Sequence, residues 1–170
     1  LHGTFLIMRK VLLVFVLLLF YSPFTMVFAE DQNPSISGLD ILPFISDLRS
    51  KKELSSLTEE PLLTRTAQKY AELMVEQNHF SHSGHDGRRG VDRAKDEGGT
   101  WITLGEIIGI GPNKNAIFTA WLRSTHHRNM IFDKRWTRAG AGVVSRGDEI
   151  LCVVLFAARS EEHTSELQSL

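Results

Sequence analysis

Three short stretches hold the residue types that can do chemistry: His79-Phe80-Ser81-His82, Gly105-Glu106-Ile107-Ile108, and Trp121-Leu122-Arg123-Ser124-Thr125-His126-His127-Arg128-Asn129. Each brings a histidine or a carboxylate out of an apolar run. Together they can furnish two imidazoles and one carboxylate to a single cleft. Such a trio can hold a divalent cation, shuttle a proton, or close a polar hole in the fold. Neutral imidazole nitrogens ligate zinc at about 2.0–2.1 Å, but two of them alone leave the site open unless a carboxylate or a ligand completes it. Glu106 lies in an apolar run, and a carboxylate buried there must be paired or hydrogen-bonded. Ser81 and Ser124 add hydroxyls that a hydrolytic triad could use, yet the chain has neither a G-x-S-x-G elbow nor an H-E-x-x-H helix. Spacing alone does not choose among these chemistries.

Several elements must position these groups. Ile41, Leu42, Ile45 and Leu48 form an apolar stripe over 39–52, with Asp40 as a candidate N-cap and Pro43 confined to the first turn. The clearest helical pattern runs from Thr58 to His79, where Leu63, Ala67, Tyr70, Ala71 and Met74 share one face. Residues 81–90, rich in Ser, Gly, His and Asp, predict a loop, and 91–97 a short helix stopped at Gly98-Gly99. Leu104 to Ile108 reads as a brief strand closed by Gly109, Gly111 and Pro112, with Glu106 its one charged residue. Asn113 or Asn115 can cap a helix through Trp121 and Leu122, which then enters a polar turn over 124–129. Residues 137–145 and 149–157 read as two strands about Arg146-Gly147-Asp148, the second apolar enough to be buried on both faces. Helices before, between and around a small sheet imply a layered α/β/α packing.

Composition narrows the function classes. Nineteen Lys and Arg balance twenty Asp and Glu, a formal net charge of −1. That balance argues against nucleic-acid partners. Cys152 is the only cysteine, so no internal disulfide can form, and its apolar setting suits a buried small hydrophobe. Five of the seven histidines (His79, His82, His85, His126 and His127) fall in or beside the chemical stretches.

The ends read differently. Residues 1–7 are expected to be untranslated sequence ahead of Met8. Residues 8–29 have the basic start, apolar run and V-x-A ending of a signal peptide, so no stable membrane span is expected after cleavage. Residues 30–38 read as a linker, and 39–158 as one domain. Residues 159–170 lack any period and resemble a translated sequencing-adapter oligonucleotide, so they are set aside as an artefact.

Six short motifs occur in order: Asp47-Leu48-Arg49, Phe80-Ser81-His82, Gly87 to Arg93, Gly105-Glu106-Ile107-Ile108, Trp121 to Asn129, and Gly140-Ala141-Gly142. In order and flanking residues this series resembles the CAP superfamily of cysteine-rich secretory, antigen 5 and pathogenesis-related proteins, in its disulfide-free bacterial form. The resemblance runs from about Leu39 to Phe156. It implies an α+β fold, a three-layer α/β/α sandwich with a small, largely antiparallel central sheet. It also implies a cleft holding His82, Glu106 and His127, with His127 rather than His126 at the cleft position. Ser81, Ser124, His126 and Arg128 are accessory candidates, and His82 and His127 the candidate ligands of zinc or another divalent cation. Ile107 departs from the pattern, standing where the family usually has Asn. The expected function is a secreted or periplasmic, non-enzymatic binding module for a small molecule, lipid or cell-envelope component. A metal-assisted hydrolase of peptide or cell-wall substrates and a purely structural spacer are the alternatives.

Overall fold

The computed structural model describes residues 41–101 and 103–158. The expectations for segments 1–7, 8–29, 30–38 and 159–170 lie outside the described residues. Among those described, no helix is long and apolar enough to cross a membrane.

The chain order is α1 (Ile41–Ser50), β1 (Thr58–Glu59), α2 (Pro61–Glu76), α3 (Gly90–Asp96), β2 (Leu104–Gly111), α4 (Lys114–Arg123), α5 (Thr125–Ile131), β3 (Trp136–Arg146) and β4 (Glu149–Ala158). The four strands form one sheet in the order β1-β3-β4-β2. β2 and β3 flank β4 antiparallel, whereas β1 pairs parallel to β3 through Thr58–Arg138 and Glu59–Ala139. β2 therefore forms one edge of the sheet.

Helices cover both faces. On one, Leu63, Ala67, Tyr70, Ala71 and Met74 of α2 and Ala94 of α3 pack with Ile108, Leu151, Val153 and Leu155. On the other, α1, α4 and α5 supply Ile41, Ile45, Ile117, Phe118, Trp121 and Ile131 to a core with Ile107, Trp136, Val154 and Phe156. β4 is buried along almost its whole length, as its continuous apolar run predicts. The expected three-layer sandwich is thus the fold observed. α2 lies so close to β3 that a Cβ at Gly140 would meet the Leu63–Thr64 backbone, and one at Gly142 the Ala67–Gln68 backbone. That close approach explains the closing Gly-Ala-Gly.

Three boundaries differ from the pattern reading. The helix expected from Thr58 starts at Pro61, where a missing N–H costs nothing, and Thr58–Glu59 pair with β3 instead. The strand expected to stop at Ile108 continues, because Gly109 and Gly111 keep register with Cys152 and Ile150. The expected polar turn over 124–129 is a helix. Ser124 Oγ accepts the His127 N–H as an N-cap, and buried Ile131 anchors the far end.

Arg49 is fully buried, with 0% of its surface exposed. Its guanidinium donates to the carbonyls of Ser55 (3.0 Å), Ile131 (2.8 Å), Asp133 (2.9 Å) and Trp136 (3.2 Å). A cation is tolerated there because these carbonyls replace its water. It ties α1 to the α5–β3 connection, behind one wall of the site.

Candidate functional site

The site is built on the edge strand β2. In that strand Glu106 shares a face with Leu104 and Ile108, toward α2 and α3, while Gly105 and Ile107 face the opposite layer. Ile107 is completely buried there. The residue that departs from the family pattern therefore packs in the other core.

Glu106 is held from two directions. Its Oε1 lies 2.9 Å from His82 Nδ1, and its Oε2 accepts a 2.5 Å bond from Arg93 Nη2. An ionised carboxylate can only accept, so Nδ1 of His82 is the donor and Nε2 is left for a ligand. Arg93 is the hub of this arrangement. Its Nη1 donates to the Arg88 carbonyl at 2.6 Å, and its guanidinium carbon lies 3.2 Å from the centroid of the Tyr70 ring. Tyr70 in turn donates its hydroxyl to the Ser81 carbonyl at 2.7 Å. Burial raises the Tyr70 pKa, and the nearby Arg93 charge opposes that rise.

These contacts shape the loop that carries His82. Asn78 turns the chain out of α2 with a φ of 48°. His79 packs against His85 with ring centroids 4.0 Å apart and planes tilted by 32°, and its Nε2 lies 3.0 Å from the Ser83 carbonyl. Ser81 Oγ accepts the Ser83 N–H at 3.2 Å. The loop is thereby fastened to α2 by Tyr70 and to α3 by Arg93.

The second wall comes from α5. His126 lines the cleft, together with Met130. His127 sits next to it, partly buried, with the two rings 5.7 Å apart. Burial lowers the His127 pKa, and the charges of His126 and His82 push it the same way. His127 is thus within electrostatic range of His82, while His126 is the α5 histidine that lines the cleft. Ser124 is the N-cap of α5, and Arg128 donates to the Leu122 carbonyl at 3.1 Å, holding the α4–α5 corner. Both candidate serine hydroxyls therefore accept backbone N–H groups.

The cleft has a volume of about 390 Å³, with Arg89, Gly90, Val91, Leu104 and Leu155 also among its lining residues. Leu155 lies on the α2–α3 face of the sheet, whereas Met130 packs against the core of the other face. A cleft lined from both faces sits at the open edge of β2. Among the described residues, no group of three or more His, Cys, Asp or Glu side chains could hold a metal ion. Glu106 is already held by Arg93 and His82, so the two-imidazole, one-carboxylate ligand set does not fit; two imidazoles remain.

Sequence reasoning gave no site role to Arg93 or Arg89, and treated Tyr70 as core. Arg93 had a signal, since it ends the Gly87-to-Arg93 motif. Leu155 had none, because nothing distinguishes it within an apolar strand.

Comparison with known proteins agrees with this architecture. The chain is 29% identical over 100 residues to the uncharacterized protein YkwD of Bacillus subtilis, a match spanning 58% of this chain and 39% of that protein. An outer surface protein of Borrelia burgdorferi superposes with a TM-score of 0.67 at 24% identity, over 72% of this chain and 92% of that one. An extracellular SCP-domain protein of Bacillus anthracis gives 0.65 at 21% identity, over 71% and 40%. At these identities both structures speak to the fold. The model of the cysteine-rich secretory protein family (CAP) matches residues 42–156. The chain belongs to the CAP family.

Proposed function

We propose that this chain is an exported, non-enzymatic binding module whose cleft between α3, β2 and α5 takes a small ligand. The observation that carries the reading is how the polar groups are used. Both Glu106 oxygens are engaged, and both candidate nucleophilic hydroxyls accept backbone N–H groups. What faces the cleft is a set of ligand-binding groups: the second nitrogen of His82, His126, Arg89, and the apolar surfaces of Leu104, Met130 and Leu155. Such a mixture suits a bound molecule with one polar end.

The test is an amide NMR titration of the full chain with a fragment library of carboxylates, amphiphiles, sugars and short peptides. Saturable shifts confined to residues 82–91, 103–106 and 126–130 support the reading. If no fragment perturbs them, the polar cluster is purely structural. Time-dependent cleavage of peptide or cell-wall fragments, lost in His82→Ala, would replace it with the hydrolase alternative.

A second reading is a divalent cation on His82 and His127. The lowered pKa of His127 favours it, because a neutral imidazole is the ligating form. Metal content before and after chelation, compared with His127→Ala, decides it. Export itself is supported by the leader pattern of residues 8–29. N-terminal sequencing of protein secreted by an expressing bacterial host should begin at Glu30.

A further inference from the structure

We infer that the cleft receives the carboxyl-terminal end of an extended peptide, which adds to the open edge of β2 at Leu104–Glu106. This rests on the binding-module reading above and names the class of partner.

The first support is backbone geometry. In an antiparallel strand, a residue directs its N–H and C=O to the same side, and successive residues alternate. The Ile108 carbonyl accepts the indole N–H of Trp121 at 2.9 Å, so Ile108 points away from β4. By the same alternation Leu104 and Glu106 do too, whereas the Thr103 carbonyl bonds Ala158 on the β4 side. Among the described residues β2 is the last strand in the sheet, and no neighbouring strand meets those groups. Among the described residues none bonds the outward backbone of Leu104 or Glu106. Farther along, Trp121 covers the edge at Ile108. The open part coincides with the cleft, since Thr103, Leu104, Gly105 and Glu106 all line it. Unpaired edge groups at the bottom of a cleft are a template for one short added strand.

The second support is charge. Among the described residues Glu106 is the only acidic one lining the cleft, and Arg93 and His82 already face its two oxygens. Arg89, exposed and lining the cleft, gives its backbone N–H to Asp92 Oδ2, but its guanidinium makes no ion pair among the described residues, and His82 and His126 stand across the same space. The uncompensated charge at the cleft is positive. A peptide whose chain ends there brings a carboxylate to meet it, in the pattern of charge-assisted bonds. The last side chain then rests against Leu104 and Met130, which selects an apolar terminal residue.

The test uses the full chain and a fluorescein-labelled hexapeptide of alternating Val and Ala ending in Leu with a free carboxylate, followed by fluorescence anisotropy. The companion probes are the C-terminal amide and two versions N-methylated at adjacent amides near the C-terminus. Because only alternate amides face β2, one N-methylation should weaken binding at least tenfold and its neighbour should leave it nearly unchanged. The amide, and separately Arg89→Ala, should each weaken binding about tenfold, with the thermal midpoint of the variant unaltered. Equal effects of the two N-methylations overturn strand addition. So does a peptide that fails to bind while dodecanoate or another non-peptide anion saturates the cleft, an outcome that leaves the binding-module reading standing. If neither peptides nor other fragments bind, both readings fall together.

Discussion

The Arg93–Glu106 pair offers the sharpest test of how the site is held. Their side chains are only 12% and 10% exposed, and the bond between them is 2.5 Å. Removing one member of a buried pair leaves the other charge with little water to replace its partner, a loss of roughly 3–5 kcal/mol. Both groups keep some contact with solvent, so the lower end applies, and Arg93→Met should cost about 3 kcal/mol. Methionine keeps an unbranched apolar stem against Tyr70, so the lost guanidinium dominates. Glu106→Gln keeps an acceptor for Arg93 but loses the charge, a cost of roughly 1.5–3 kcal/mol. The double variant removes both charges, so its cost should fall below the sum by about 2 kcal/mol. Urea denaturation reads this directly: with a slope of about 2 kcal/mol/M, Arg93→Met lowers the midpoint by about 1.5 M. A midpoint shift in Arg93→Met of less than about 0.3 M, or strictly additive costs in the double variant, would refute the pair as the element fixing the His82 loop.

Three further outcomes follow from single residues. Arg49→Met strands four carbonyls around a fully buried site, and should destabilise the fold by roughly 3–5 kcal/mol in the same urea assay; a loss below about 1 kcal/mol contradicts its role in tying α1 to the α5–β3 connection. His127 has a lowered folded-state pKa, so below about pH 6.5 the unfolded chain binds its proton more readily and stability falls as pH drops. His127→Gln should remove that component, so the wild-type and variant urea midpoints diverge below about pH 6.5 in favour of the variant; parallel profiles from about pH 7.5 to 5 refute it. Burial pushes the Cys152 thiol far above its ordinary range, so a disulfide reagent should find no reactive thiol in the native protein and one after unfolding.

The sequence by itself determined the layers. The α2 stripe from Leu63 to Met74, the apolar run of β4 and the Gly140/Gly142 pair record burial and close approach, which local pattern reports directly. The ordered motifs, through the family resemblance they carry, singled out His82, Glu106 and His127, with His126 only an accessory; the fold instead puts His126 in the cleft lining and His127 beside it. Tertiary structure decided how they are used. That Glu106 is shared between His82 and Arg93, residues 24 and 13 positions away, depends on α3 docking beside the edge strand. No local period encodes such a pairing. The same holds for α5: its polar residues read as a turn, and only the Ser124 cap together with burial of Ile131 makes them a helix that turns His126 into the cleft. Local propensity is a weak signal over seven residues, and packing against the sheet overrode it.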